Sequence, residues 1–256
     1  MLRETKIDNL RVHVYASRTA MGNAAAKDAA GAIQEAIEKN GAANVVFAAA
    51  PSQREVLAGL LASDLDWKRV RAFQQDEYIG LDSGHPAGFG NFLRRHIFGK
   101  APFREVFLME CAARETASES CVRYCALLEK YPPDVILLGF GENGHLAFND
   151  PPVADFNDPL GVKPVLLDPV CRRQQVNDGC FAALEEVPEY AITLTIPRIM
   201  SAPRAVVTVP GPSKADAVRA ALLGPVSSLC PASILRTHPD AALYLDSDSA
   251  AKTFVL

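Results

Sequence analysis

The feature that most constrains the fold is a regular alternation of short apolar segments with longer helical ones. The apolar segments are rich in valine, isoleucine and leucine and end in turn residues, which is typical of buried parallel strands. They lie at residues 10–15, 44–49, 70–74, 106–109, 135–138, 190–196, 205–209 and 241–245. Segments predicted to be helical separate them, at about residues 20–39, 53–61, 89–98, 118–130 and 214–223. The alternation predicts an α/β fold, a single doubly wound, Rossmann-like domain over residues 1–256 with a mostly parallel central sheet flanked by helices.

Local signals mark some of the element ends. Ser17 is expected to be the N-cap of the first long helix, and Asn40-Gly41 is expected to end it. Four prolines lie between residues 151 and 164, and they predict an irregular loop there.

Composition excludes several classes of protein. The hydrophobic content of 49% is ample for a core, and a net charge of −4 without a basic run argues against nucleic acid as a partner. No apolar stretch approaches the ~18 residues that a membrane-spanning helix needs. The N-terminus lacks the charged and apolar regions of a signal peptide. We therefore expect a cytoplasmic protein that does not bind membranes.

The six cysteines are predicted to be structural. Their density is low for a chain of 256 residues, and no C-x-x-C pair occurs. Cys121 and Cys125 lie four residues apart and could offer two metal ligands from one helical face. However, no histidine or third cysteine follows at zinc spacing, so no metal site is predicted.

The segment at residues 134–151, DVILLGFGENGHLAFNDP, is the strongest candidate for a functional site. An apolar strand runs directly into a loop with glycines at positions 139, 141 and 144, where the chain bends sharply or lets a ligand approach its backbone. His145 ends this loop, between Asn143 and Asp150. A loop of this kind after a strand is where α/β proteins place ligands. The alternative is a tight turn with a histidine on the surface.

Three further features are weaker taken alone. Asp76 and Glu77 follow a predicted strand, where adjacent acids are more often solvated than catalytic. Lys214 lies in the first turn of a helix and could meet a phosphate, or it could lie on the helix surface. Arg172 and Arg173 could bind an anion or belong to a solvated face.

Standard nucleotide-binding and hydrolase motifs are missing from the sequence. There is no G-x-G-x-x-G followed by an acid ~20 residues later, no G-x-x-x-x-G-K-[ST] and no G-x-S-x-G.

Several segments together resemble the glucosamine-6-phosphate deaminase family. The segment FQQDEYIGL at residues 73–81, followed by His85-Pro86, is similar to the family's D-E-Y-[VI]-G-L…H-P. The segment GFGENGHLAFNDP at residues 139–151 is similar to its G-[IV]-G-x-[DN]-G-H-[IL]-[AG]-F-N-E-P. Shorter matches follow at residues 187–193, 211–214 and 231–233. The related 6-phosphogluconolactonases share the fold and a G-x-G-x-D-G-H loop, but not the D-E-Y-x-G-L segment in this form.

The resemblance implies an aldose–ketose isomerisation of an amino-sugar 6-phosphate with release of ammonia. His145 would assist ring opening, because imidazole titrates near neutral pH. Asn143 and Asp150 would orient it. Asp76 would move a proton from C2 to C1, and Lys214 would bind the phosphate as a point charge.

The resemblance also implies the remaining contacts and partners. The substrate is a small sugar phosphate, no metal or organic cofactor is needed, and the chain would be a homo-oligomer. The residues expected to bind the substrate or its phosphate are Ser52, Gln53, Glu77, Gly141, Gly144, Arg172, Arg173 and Lys214.

The sequence departs from the family at the phosphate end. The family's first loop, T-G-[GS]-[ST]-P, reads AAAPSQ at residues 48–53, without glycine. The family's T-R-x-x-[NS]-x-R run is matched by Arg173 at best. Asp150 is one methylene shorter than the family's glutamate. Two alternatives therefore stand beside the deaminase: a hydrolase or isomerase of another sugar phosphate, such as a lactone, and a catalytically weak sugar-phosphate-binding regulator.

Overall fold

The computed structural model describes residues 1–110 and 116–255. Within this part of the chain the strands are β1 Arg3–Ile7, β2 Leu10–Tyr15, β3 Ala43–Phe47, β4 Val70–Gln74, β5 Asp76–Tyr78, β6 Glu105–Phe107, β7 Val135–Leu138, β8 Val162–Leu166, β9 Tyr190–Leu194, β10 Arg204–Val209 and β11 Ala241–Asp246. The α-helices are α1 Arg18–Asn40, α2 Arg54–Leu61, α3 Phe89–Leu93, α4 Ala117–Lys130, α5 Pro169–Asn177, α6 Ile196–Met200, α7 Ala215–Leu223 and α8 Ser247–Ala250. None of these helices is long and apolar enough to cross a bilayer.

The central sheet has eight strands in the order β1-β2-β11-β10-β7-β3-β4-β6. Only the edge pair β1–β2 is antiparallel, and every other neighbouring pair is parallel. The predicted mostly parallel sheet is thereby confirmed. The strand order places β7 between β10 and β3, so the loop that follows β7 lies in the middle of the sheet's carboxyl edge.

Two hydrophobic cores, one on each face of this sheet, explain why its strands are apolar throughout. In β3, Val45 and Phe47 pack in one core while Val46 packs in the other. In β7, all four residues are buried, and they also alternate between the two cores. Strands covered on both faces need apolar side chains in both directions, which is the signature of a doubly wound sheet.

A second, three-stranded antiparallel sheet in the order β5-β9-β8 was not expected from the sequence. The predicted strand at residues 190–196 belongs to it rather than to the central sheet. The prediction of an irregular loop over residues 151–164 was wrong at its end, because Pro164 lies within β8. Proline is tolerated there since β8 is an edge strand, where a missing backbone N–H leaves no neighbour unpaired.

Helix α1 begins and ends at the predicted positions. The Ser17 side chain accepts a hydrogen bond from the backbone N–H of Ala20 at 3.2 Å, and Gly41 closes the helix with a φ of 78°. The helix packs closely on α2 through Gly22, where an added Cβ would lie 2.3 Å from Cβ of Glu55. Gly31, in the same helix, has no atom within 4 Å of an added Cβ.

These two glycines give a matched pair of substitutions for testing the helix packing. Gly31→Ala is expected to stabilise the protein by about 0.5–1 kcal/mol, because alanine favours a helix interior over glycine. Gly22→Ala is expected to destabilise it by about 1–3 kcal/mol, because the new methyl group overlaps Glu55. Urea denaturation of both variants measures the difference, and equal stabilisation by both would contradict the close packing of α1 on α2.

Candidate active site

A cavity of about 210 Å³ lies at the carboxyl edge of the central sheet. It opens between the loops that follow β10, β7, β3 and β4, with residues of α1 and α5 at its wall. This edge is where open α/β sheets bind ligands, because the loops there converge from several strands. The polar side chains that line it are those of Arg18, Ser52, Gln53, Gln75, Asp76, His145, Gln174, Gln175, Asp178, Ser213 and Lys214.

The glycine loop after β7 allows the His145 ring to lie against the backbone. The N–H of Gly141 donates to the carbonyl of His145 at 3.0 Å, and Gly144 has a φ of 80°. A Cβ on Gly141 would lie 2.1 Å from Cε1 of His145. Gly141 lines the cavity, whereas Gly144 packs against Cys230 and does not.

His145, Asn143 and Asp150 form a closed hydrogen-bonded group. Nδ1 of His145 lies 3.0 Å from Oδ1 of Asp150 and 2.8 Å from Oδ1 of Asn143. The Asn143 amide in turn donates to Oδ1 of Asp150 at 2.9 Å. Since both neighbours of Nδ1 are acceptors, Nδ1 carries the proton. Nε2, which has no partner in the described residues, is the nitrogen free to accept one.

Asp150 is ionised despite its burial. Burial alone would raise the pKa of this carboxyl, but hydrogen bonds from His145 and Asn143 and the charge of the imidazole hold the pKa below its ordinary value. The shorter aspartate therefore still reaches the histidine. A carboxylate in this position fixes the tautomer of the ring and stabilises its protonated form.

Asp76 enters the cavity from the second sheet. It is the first residue of β5, where it pairs with Thr193 of β9, and it is 6% exposed. Its carboxyl makes no hydrogen bond within the described residues. Burial and the neighbouring charge of Glu77 raise its pKa well above the ordinary value. A carboxyl with these properties is suited to accept and return a proton.

Lys214 lies at the opposite end of the cavity, after β10. The 3₁₀ turn Pro212–Lys214 follows Gly211, whose N–H donates to the Asp246 carboxylate at 3.0 Å. The lysine is 7% exposed, and its side-chain ammonium makes no hydrogen bond or ion pair in the described part of the chain. Burial lowers its pKa, an effect that the carboxylates of Asp178 and Glu142 oppose. In the order β10-β7-β3-β4, Lys214 follows β10 whereas Asp76 lies shortly after β4, so the two residues approach the cavity from strands on either side of β7 and β3.

Ser52 and Gln53 lie at the cavity wall in the turn before α2. Gln53 is also a structural bridge, since its amide lies 3.3 Å from the carbonyl of Leu138 and 3.4 Å from that of Thr208. It therefore ties the ends of β7 and β10 together. This leaves Ser52 as the freer of the two groups for contact with a ligand.

Four of the predicted binding residues do not line the cavity: Gly144, described above, and Glu77, Arg172 and Arg173. The Glu77 carboxylate accepts hydrogen bonds from the backbone N–H groups of Phe89 and Gly90, at 3.0 and 2.7 Å, so it caps α3. Arg172 donates to backbone carbonyls, one of them that of Val187 at 2.7 Å, and Arg173 is exposed. The register of α5 turns the next two residues inward instead.

The sequence reading missed Arg18, Gln75, Gln174, Gln175 and Asp178, all of which line the cavity. Arg18 had a usable signal, because it directly follows the predicted N-cap at the end of a strand. The sequence around Gln174 and Gln175 contains no comparable signal, apart from the two arginines that precede them. Their orientation depends on how α5 packs.

The group most able to hold a metal ion in the described residues comprises His145, Asp150 and Cys171, whose ligand atoms lie within 4.8 Å of one another. Burial and the charge of Asp150 raise the pKa of the Cys171 thiol well above its ordinary value, so the thiol stays protonated. Metal binding requires a thiolate, and Nδ1 of His145 is already hydrogen-bonded, so this group is poorly suited to hold a metal ion.

The five cysteines in the described part of the chain form no disulfide, and Cys111 lies outside the described residues.

Comparison with known proteins establishes the family. The family model of glucosamine-6-phosphate isomerases/6-phosphogluconolactonase matches residues 16–153. A glucosamine-6-phosphate deaminase of Listeria monocytogenes is 36% identical over 221 residues, 85% of this chain and 92% of the relative. One of Streptococcus pneumoniae is 32% identical over 210 residues, 82% and 88% of the two chains. The chain therefore belongs to this family of enzymes.

Solved structures agree with this assignment. A monomeric glucosamine-6-phosphate deaminase superposes with a TM-score of 0.85 at 26% identity, covering 94% of this chain and 99% of the other. A 6-phosphogluconolactonase from Trypanosoma brucei superposes with a TM-score of 0.77 at 17% identity, covering 98% and 100%, and shares the fold. Because one relative is monomeric, the predicted homo-oligomer stays a prediction.

The raised pKa of Asp76 predicts how stability depends on pH. The folded state holds this proton more tightly than the unfolded state, so the stabilising contribution is full below the unfolded pKa of about 3.9 and is lost as pH rises through the folded pKa. Asp76→Asn stays neutral at every pH. We expect it to be more stable than the unmodified protein at pH 8, by on the order of 1–3 kcal/mol, and to lose this advantage towards pH 4.

Urea denaturation across this pH range measures the effect. Asp82→Asn is the matched control, because Asp82 is an exposed aspartate outside the cavity. A stability difference between Asp76→Asn and the unmodified protein that is the same at both pH values would contradict the raised pKa.

Proposed function

We propose that this chain is a glucosamine-6-phosphate deaminase, which converts an amino-sugar 6-phosphate to a 6-phospho-ketose and releases ammonia. The observation that carries the proposal is that three chemically suited side chains line one small cavity. The partnerless carboxyl of Asp76, the free Nε2 of His145 and the buried ammonium of Lys214 all line it. The names of the relatives at 36% and 32% identity support the same reaction.

The proposed reaction begins with ring opening. Nε2 of His145 accepts the proton of the C1 hydroxyl and returns it to the ring oxygen, which gives the open aldehyde. Asp150 and Asn143 keep Nδ1 protonated, so that Nε2 is the exchanging nitrogen. The ionised Asp150 also stabilises the imidazolium that forms in between.

Asp76 then performs the isomerisation. Its carboxylate removes the C2 proton while the aldehyde oxygen takes a proton from the substrate's own ammonium group, which gives a neutral enolamine, and the same carboxyl then delivers its proton to C1. The C2 carbon becomes an iminium, to which one water adds and from which one ammonia leaves. A single carboxyl suffices for both transfers because C1 and C2 are adjacent, and its raised pKa makes it a stronger base than an ordinary aspartate.

Two other functions compete with this proposal. Hydrolysis of a 6-phospho-lactone would use the histidine and its partners but does not require a carboxyl that abstracts a proton from C2. A sugar-phosphate-binding regulator requires neither group. The burial of Asp76 without a partner favours the deaminase, because an unused carboxyl in this position only destabilises the fold.

A substrate panel tests the proposal directly. We expect purified protein to release ammonia from glucosamine 6-phosphate in buffer without added metal, as measured by a coupled ammonia assay. The panel also includes galactosamine 6-phosphate, 6-phosphogluconolactone and unphosphorylated glucosamine. Background ammonia release together with turnover of the lactone would overturn the deaminase and favour the hydrolase.

Replacement of Asp76 tests the role of the proposed base. Asp76→Asn is expected to lower kcat on the order of 10²-fold or more, because the proton transfer from C2 has no acceptor. KM should change much less, since the phosphate end of the cavity is intact. Asp82→Asn serves as the control and should retain full turnover. If Asp76→Asn also keeps full turnover, Asp76 is not the base.

A further inference from the structure

Arg18 is held across the loop at residues 48–53, which borders the cavity. Its Nη2 donates to the carbonyl of Pro51, and its Nε lies 2.8 Å from Oε1 of Glu55. Both contacts lie on one side of the guanidinium. The Nη1 amino group has no partner in the described residues, although Arg18 lines the cavity.

The loop beneath Arg18 is poor in backbone donors. It reads AAAPSQ, in which Pro51 has no N–H and the N–H of Gln53 already donates to the carbonyl of Ala50 at 2.9 Å. Without glycine, each Cβ also limits how closely an oxyanion can approach the backbone. An anion bound here therefore depends on side-chain donors in addition to the backbone N–H groups that remain.

Two buried polar groups face the same cavity without partners. Lys214 is 7% exposed, and so is Gln175, whose side-chain amide makes no hydrogen bond within the described residues. Burial of an ammonium and an amide without hydrogen-bond partners lowers the stability of the fold unless a ligand supplies the missing hydrogen bonds. Both groups offer N–H donors, so the ligand that fits them best is rich in acceptor oxygens and negatively charged.

We infer that Arg18 supplies the guanidinium of the phosphate-binding end of the cavity, and that Gln175 adds a second side-chain donor beside Lys214, for which the family resemblance already implies this role. The inference rests on the proposed function, because it names the groups that hold the substrate's phosphate. Arg18 reaches the site from the start of α1 and fulfils the role that the sequence had suggested for Arg172 or Arg173. Its planar fork suits two phosphate oxygens at once.

Carboxylates around this site limit its net positive charge. Glu55 pairs with Arg18, while Asp178 and Glu142 act on Lys214 from the cavity rim and the β7 loop. Without a ligand, two cationic side chains therefore lie near three acidic ones, so the site has no excess of positive charge. Binding must come from directed N–H contacts more than from a diffuse positive field, which makes it sensitive to the loss of a single donor.

Calorimetric titration of the full chain with inorganic phosphate tests the inference without turnover. We expect Arg18→Met to weaken phosphate binding about 10- to 100-fold, the loss typical of a charge-assisted contact. Arg18→Lys should bind with intermediate affinity, because it keeps the charge but not the fork. Arg173→Met is the matched control and should bind like the unmodified protein, since Arg173 is exposed outside the cavity.

Each contrary result has a clear meaning. Unchanged binding in Arg18→Met, an equal loss in Arg173→Met, or no phosphate binding by the unmodified protein overturns the inference. Circular dichroism verifies that each variant is folded. If Arg18→Met does not fold, the comparison of Arg18→Lys with Arg173→Lys decides, and equal affinities overturn the inference.

The ammonia assay separates this inference from the proposed function. If phosphate binding depends on Arg18 but no amino-sugar phosphate releases ammonia, the proposed reaction fails and the anion site stands. If ammonia is released and the KM of Arg18→Met equals that of the unmodified protein, the reaction stands and the role of Arg18 fails.

Discussion

Partnerless polar side chains buried at one edge of the sheet are the constraint on which the site depends. Asp76, Lys214 and Gln175 are each less than a tenth exposed, and none makes a side-chain hydrogen bond in the described part of the chain. Such groups lower stability unless a ligand completes them. The two apolar cores on either side of the sheet bury the side chains that stabilise the fold and offset this cost. Function and stability are therefore opposed at this edge, and the cores compensate.

The cavity is built where two sheets meet. The central sheet supplies His145 and Lys214 through the loops after β7 and β10, whereas Asp76 opens β5 of the small antiparallel sheet. Pairing of β5 with β9 fixes where this carboxyl points, and Glu77, the next residue, caps α3 through two backbone N–H groups. Glu77 is thus used for structure, and Asp76 is left free for the proton transfer that we propose. Adjacent residues in a strand face opposite sides, which makes this division of roles possible.

The two ends of the cavity differ in how closely they follow the family. The histidine group keeps the family pattern, and the shorter Asp150 still reaches the ring. The loop at residues 48–53 lacks the family's glycines and no arginine matches the family's run, whereas in the proposed phosphate site Arg18 of α1 takes that place. Exchange of a donor between elements is feasible at a phosphate, because a tetrahedral anion accepts hydrogen bonds from many directions. Proton transfer at C1 and C2, in contrast, requires the catalytic groups to be fixed in position relative to these two carbons.

The sequence by itself determined the class of fold, the ends of α1, the loop after β7 and the grouping of Asp76, His145, Asn143, Asp150 and Lys214 as candidates. These follow from local signals: apolar runs, caps, glycines and a long motif. Tertiary structure decided what local signals do not carry. The second sheet depends on pairing between β5, β8 and β9, which are distant in the chain. The exclusion of Glu77, Arg172 and Arg173, and the inward position of Arg18 and Gln175, depend on helix register and packing, because a one-residue rotation of a helix turns a side chain by about 100°.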